Sequence, residues 1–281
     1  MSLKSKYQMM SQKPEKYSSS YNFPANGILL LDSGVGSILI ASEIKKLLPT
    51  APLLSLGDQK FFPYGMKTED FLLSRVHQLL DSVFENFSPS VIVIACNTAS
   101  TCVLDSLRQK FEVPIVGVVP PIKPAAEYSA NRKIGLLCTE ATLNRPYLDR
   151  LILDFASDCS VTKVGCKALA ELAEKRMAGE FVSLQEVKVD LHAYMNKLRI
   201  VDSLVLGCTH FSIFRNELEE ILGCHIKIFD PAIAVARQVA RVFEQSGFQL
   251  NSPYWYMTTD KDLSISKEKC ISLGIEEVYS L

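Results

Sequence analysis

Two cysteines stand in matching surroundings. In VIVIACNTAS (91–100) a β-branched apolar run leads straight into Cys96, and Asn97 and Thr98 follow at once. In SLVLGCTHF (203–211) a second apolar run leads into Cys208, followed by Thr209 and His210. A single cysteine at a strand end is ordinarily a small core residue, since free Cys is among the most buried types. Recurrence in the same context sets these two apart. A thiol works as an acid or base only when helix N-termini, cations or hydrogen bonds bring its pKa toward working pH. Each cysteine falls where a strand ends and a helix is expected to begin, so backbone N–H groups are expected to favour the thiolate. One thiol on each face of a substrate carbon suits reversible deprotonation: one removes a proton, the other returns one from the opposite side, and the centre inverts. Asn97, Thr98, Thr209 and His210 are placed to hold a small polar anion, and His210 is in position to serve as acid or thiol activator.

The flanking sequence supplies the elements that must carry these groups. GILLLDSG (27–34) reads as a strand ending in a turn, and SILIASEIKKLLP (37–49) as a helix stopped by Pro49. APLLSLGD (51–58) is the next strand, and TEDFLLSRVHQLLDSVFENF (68–87) an amphipathic helix capped by Thr68. VIVIACN, a helix through Lys110 and the strand VPIVGVV (113–119) follow. The pattern then restarts with KIGLLCTEAT (133–142), a helix over SLQEVKVDLHAYMNKL (183–198) and the strand SLVLG. DPAIAVARQVARVFEQSG (230–247) is a further helix, started by Asp230 and Pro231. The segment from Asn251 to the end reads as irregular. Continuous apolar strands alternating with helices predict an α/β chain of two similar units, each a mainly parallel sheet flanked by helices. Ligands of such sheets bind outside the carboxyl ends of the strands, which puts the expected site in the cleft between the units.

Composition narrows the partners. The 281 residues carry 30 Lys and Arg against 31 Asp and Glu, so charge gives no case for nucleic acid or an anionic membrane as main partner. No apolar run approaches the roughly 18 residues of a membrane helix. Residues 1–26 lack an apolar signal core and read as a flexible extension, and the expected location is the cytoplasm. Eight cysteines and four histidines without a CxxC pair support neither a disulfide framework nor a structural zinc site. Cys102, Cys138, Cys159, Cys166, Cys224 and Cys270 are assigned to structure or surface.

LLDSGVGS (30–37), GDQKFFPYG (57–65), ACNTAST (95–101), VGVVPPIKPAA (116–126) and LGCTHF (206–211) together resemble, in order and spacing, the glutamate racemases of the cofactor-independent aspartate/glutamate racemase family. The resemblance runs from about residue 27 to about residue 245. VVPPIKPAA and LAELAEKRMAGEFVSL (169–184) are similar to the proteobacterial branch. It implies interconversion of L- and D-glutamate for peptidoglycan synthesis, with Cys96 and Cys208 as proton-transfer residues and no cofactor. It further implies that Asp32 and His210 assist the thiols, joined by a middle-segment glutamate that best matches Glu174, with Glu171 as rival. Asp32 with Ser33, Tyr64 with Gly65, Asn97 with Thr98 and Thr209 with His210 match substrate-binding pairs, and Thr139 and Thr142 match donors to the substrate carboxylate. The domains implied are 27–117 with 229–281, and 118–228. A UDP-MurNAc-L-alanine activator, bound near the hinge, is an expected partner, and a homodimer is kept open.

The chain departs from the family pattern at Ser37, where a second glycine is usual, and at Ser212, which replaces a proline. GCKALAELAEKR stands where many members carry a CP-rich segment. Other readings remain at this level: an aspartate or other amino-acid racemase, a regulatory binding protein of the kind linked to DNA gyrase inhibition, and a redox protein pairing Cys96 with Cys208.

Overall fold

The computed structural model describes residues 26–245, 254–259 and 265–280. Apart from Asn26, the N-terminal extension lies outside the described residues.

The first sheet is built from β1 (Ile28–Asp32), β2 (Leu53–Gly57), β3 (Val91–Ile94), β4 (Ile115–Gly117), β9 (Tyr254–Thr258) and β10 (Glu277–Ser280). Its order is β10-β9-β2-β1-β3-β4, and every pairing is parallel. The second sheet has the order β6-β5-β7-β8 and is also wholly parallel, with β5 (Lys133–Cys138), β6 (Ser160–Gly165), β7 (Ser203–Leu206) and β8 (Lys227–Phe229).

Parallel pairing explains the unbroken apolar runs, because helices cover both faces. The two-residue period of a strand still divides the side chains. Ile28, Leu30, Val91 and Val93 face the helices Gly36–Leu47 and Pro231–Gln245. Their neighbours Leu29, Leu31, Ile92 and Ile94 face Glu69–Phe84 and Asn97–Lys110. In the second sheet Leu137, Leu204 and Leu206 meet Leu169–Met177 and Arg215–Leu222, while Leu136 and Val205 meet Ile122–Tyr128 and Pro146–Ala156. Thr68 caps its helix as expected, its hydroxyl accepting from the Phe71 amide at 3.3 Å.

Both sheets wind outward from one strand in two directions. β1 leads to β2 on one side, and β3 lies on the other; β5 leads to β6 on one side, and β7 lies on the other. These reversals open crevices at the carboxyl ends of β1 and β3 and of β5 and β7, where such folds take ligands. Cys96 follows β3 and Cys208 follows β7.

Three expectations are corrected. The helix predicted over 183–198 breaks into Leu184–Val189, a 3₁₀ turn His192–Tyr194 and Met195–Leu198. Asp190 explains the break: its carboxylate accepts the Ala168 and Leu169 amides at 2.7 and 3.0 Å, capping the N-terminus of Leu169–Met177 instead of continuing its own helix. The end of the chain is not irregular, since YWYMT forms β9 beside β2, the helix Lys267–Leu273 follows, and β10 closes the edge. The strand expected over 113–119 is confined to Ile115–Gly117. Among the described residues no helix is long and apolar enough to cross a membrane.

Candidate active site

Cys96 caps the Asn97–Lys110 helix, and both its thiol and that of Cys208 are buried. They lie close enough that negative charge on Cys208 raises the Cys96 thiol. All eight cysteines are free. At Cys96 the expected effect of the helix N-terminus is present but outweighed. Burial pushes the thiol well above its ordinary value, the Asp32 carboxylate pushes the same way, and the Ala99 amide opposes them. Cys96 is therefore held as a neutral thiol.

Asp32 ends β1 and is fully buried. Its Oδ2 accepts the Gly34 amide at 3.1 Å and lies 3.7 Å from His210 Nε2. Burial raises its pKa against the pull of His210. Its Oδ1 has no hydrogen-bond partner among the described residues, and the same is true of Asn97 Oδ1. Two buried acceptors thus flank Cys96.

On the Cys208 side, His210 Nδ1 lies 3.9 Å from the sulfur, and Nε2 lies 2.8 Å from Glu174 Oε1. Burial works against a charged imidazole here, but Asp32 and the hydrogen bonds to Cys208 and Glu174 outweigh it and hold His210 well above 6.5. In that form both ring nitrogens carry protons, so Nε2–H donates to Glu174 and Nδ1–H faces the sulfur. Glu171, on the same helix, is exposed, whereas Glu174 points inward; only Glu174 reaches this cluster.

Hydroxyls join the two units. Thr98 and Thr142 Oγ1 atoms are 3.2 Å apart, and Thr142 and Thr139 Oγ1 atoms are 2.9 Å apart. The Asn97 amide donates to the Gly207 carbonyl at 2.9 Å. Thr209 and Ser33 are buried as well. Gly65 faces Thr139 and Ala141, where an added Cβ would make ordinary contacts at 3.5 Å. The Tyr64 hydroxyl donates to Asp58 at 2.8 Å.

The glycines of DSGVG have a reason that turn geometry does not supply. A Cβ on Gly34 would lie 2.0 Å from Glu174 Oε1, and one on Gly36 would lie 2.4 Å from Thr209 Oγ1 and 2.6 Å from Asp32 Oδ2. Close approach of the two units requires both. At the first family departure, Ser37 is fully buried in the helix that begins at Gly36. The second, Ser212, lies in the 3₁₀ segment Thr209–Phe214.

Sequence reasoning missed the support behind the turn 58–65. Arg75 forks onto Asp58 with bonds of 2.9 and 2.7 Å, and Thr259 donates to the same carboxylate at 2.8 Å. Arg75 could have been found as a cation set among Leu72, Val76 and Leu79 on the apolar stripe of its helix. Thr259, far along the chain, offered no such signal.

Two buried strand-end thiols, each with its own polar support, make up the candidate site. Residues 39–239 match the Asp/Glu/Hydantoin racemase family model, and the chain belongs to that family. Glutamate racemase of Salmonella typhimurium strain LT2 is 43% identical over 221 residues, 79% of this chain and 78% of that one. The chain also resembles Escherichia coli glutamate racemase in complex with L-glutamate and the activator UDP-MurNAc-ala: TM-score 0.85, 36% identity, 92% of this chain and 98% of that one. A glutamate racemase isoform of Bacillus anthracis gives a TM-score of 0.78 at 27% identity, with 91% of this chain and 96% of that one covered.

Proposed function

We propose that this chain is a cytoplasmic glutamate racemase that inverts Cα by proton transfer between Cys96 and Cys208 and supplies D-glutamate for peptidoglycan. The pairing of two buried strand-end thiols, each with its own carboxylate or imidazole, carries the reading. In one direction the Cys208 thiolate takes the Cα proton while Cys96 gives its own proton to the opposite face. The enzyme is left with the two protonation states exchanged, and the reverse reaction restores them.

The surroundings suit an amino acid. Asp32 Oδ1 and Asn97 Oδ1 are buried acceptors for an ammonium group. The hydroxyls of Thr98, Thr139 and Thr142 beside the N-terminus of Asn97–Lys110 suit a carboxylate. Charge that develops on this carboxylate as the α-proton leaves is stabilised by donors already in place. Protonated His210, backed by Glu174, faces the Cys208 sulfur and steadies its negative charge.

In this reading the working unit is two domains, 27–117 with 229–281 and 118–228, closing over the substrate to exclude water. The Escherichia coli relative was solved with UDP-MurNAc-ala, and we extend the proposal to the same activator here. Circular dichroism of L- and D-glutamate incubated with the protein, with and without UDP-MurNAc-L-alanine and with aspartate in parallel, tests both claims. Loss of rotation for glutamate, abolished by either Cys96→Ser or Cys208→Ser, supports the racemase. Inertness toward glutamate under every condition overturns it, and a rate the nucleotide leaves unaltered removes the activator.

A further inference from the structure

Glu174 receives hydrogen bonds from three directions. His210 Nε2 and the Val35 amide both meet Oε1 at 2.8 Å, and Gln59 Nε2 donates to Oε2 at 2.8 Å. Val35 and Gln59 follow β1 and β2 of the first sheet, whereas Glu174 and His210 belong to segments packed on the second. The carboxylate therefore spans the two units.

Gln59 is itself held. The Tyr256 hydroxyl, from β9, donates to its Oε1 at 3.3 Å, which leaves the amide N–H₂ end directed at Glu174. β2 ends in glycine at this point for a reason of space: a Cβ on Gly57 would lie 2.4 Å from the Tyr256 hydroxyl and 2.5 Å from Gln59 Oε1. The sequence thus keeps room for one specific chain of contacts, Tyr256 to Gln59 to Glu174 to His210 to Cys208.

We propose that Gln59 is a positioning residue for the reaction, its amide holding Glu174 against His210 so that the proton-handling group beside Cys208 is complete only when the two units are together. This rests on the racemase reading of the same site. A carboxylate with one oxygen tied to Gln59 and the other shared by Val35 and His210 cannot rotate without breaking a bond to the opposite unit. His210 is faced by Asp32 from the end of β1, by Glu174 from the Leu169–Met177 helix and by Cys208 from its own segment. Of these, Glu174 is the one with a described hydrogen bond from Gln59. Loosening Glu174 removes one of the influences that raise the His210 pKa, so that pKa falls toward 6.5.

The test is Gln59→Met, which keeps length and removes the amide, with Gln59→Glu as the variant that sets carboxylate against carboxylate. Steady-state racemisation and an NMR titration of the labelled His210 imidazole are read on each. The expected result for Gln59→Met is a kcat lower by about tenfold with KM for glutamate within about twofold. The His210 midpoint falls at the same time, and Gln59→Glu loses more kcat than Gln59→Met. Wild-type kcat in Gln59→Met overturns the proposal, and so does a loss of rate with an unmoved His210 midpoint, which marks a merely structural role. If the wild-type protein does not racemise glutamate but the His210 midpoint still moves, the racemase reading fails while the positioning relationship stands.

Discussion

The side-chain amide of Asn97 donates to the carbonyl of Gly207 at 2.9 Å, joining the residue after one site cysteine to the residue before the other. The two thiol-bearing loops are thus fixed to each other directly, across the line between the two sheets. Asn97 is 3% exposed, so the bond lies out of contact with bulk water. Asn97→Ala is expected to cost about 1–3 kcal/mol of stability, the penalty for a buried acceptor left unpaired. Urea unfolding measures that loss, and the racemisation rate should fall with it, because Asn97 Oδ1 is also one of the two acceptors we propose for the substrate ammonium.

Glu174 and Glu171 lie on one helix yet make opposite predictions. Glu174→Gln keeps shape but removes the charge that faces His210, and a fall in kcat of about 10²-fold is expected from losing a partner in acid–base catalysis. Glu171→Gln alters an exposed side chain and should leave both kcat and KM at the wild-type value. Steady-state kinetics of the two variants side by side decide the matter.

His210 gives a pH dependence of definite sign. Its folded-state pKa is raised above 6.5, so its contribution to stability is complete below about pH 6.5 and is lost as pH rises through the raised value. Denaturation midpoints measured from about pH 6 to about pH 9 should decline in the wild type. His210→Asn should flatten that decline. A wild-type curve that rises with pH across this window, with the rise removed in His210→Asn, would contradict the assignment.

Gly34→Ala tests the closeness of the two units. Its Cβ would fall 2.0 Å from Glu174 Oε1, so either the carboxylate leaves His210 or the units part. A displacement of this order is expected to cost about 10²-fold in rate. Far-ultraviolet circular dichroism should be preserved, since Gly34 lies in the loop after β1 and outside any sheet or helix.

Much of this arrangement could be read from the sequence because the strands announce themselves. VIVIACN and SLVLGC are apolar runs too long-buried for a half-exposed strand, and such runs point to parallel sheets with cysteines at their carboxyl ends. Recurrence of that context singles out Cys96 and Cys208, while their facing each other across one cleft is an expectation from pattern that sequence separation alone does not show. Other features depend on distances that no local pattern encodes. Asp190 caps a helix 22 residues earlier, and so breaks the periodic stretch that suggested one helix over 183–198. YWYMT has the composition of a strand, but its partner β2 lies some two hundred residues away and the turn signals around it are weak. The thiolate expected at Cys96 gives way to a neutral thiol, because helix N-termini are visible in a sequence and burial beside Asp32 is not.

The central claim, transfer between two thiols on opposite faces of one carbon, is tested most directly by the fate of the α-proton. L-glutamate is incubated with the protein in D₂O without added pyridoxal phosphate, and the reaction is stopped in its first turnovers. Separated D- and L-glutamate are then read by mass spectrometry. The account predicts one solvent deuterium at Cα in the D-glutamate formed, and almost none in the L-glutamate recovered. D-glutamate that keeps its original proton, or deuterium spread equally through both pools, would mean a single base serving both faces and would contradict it.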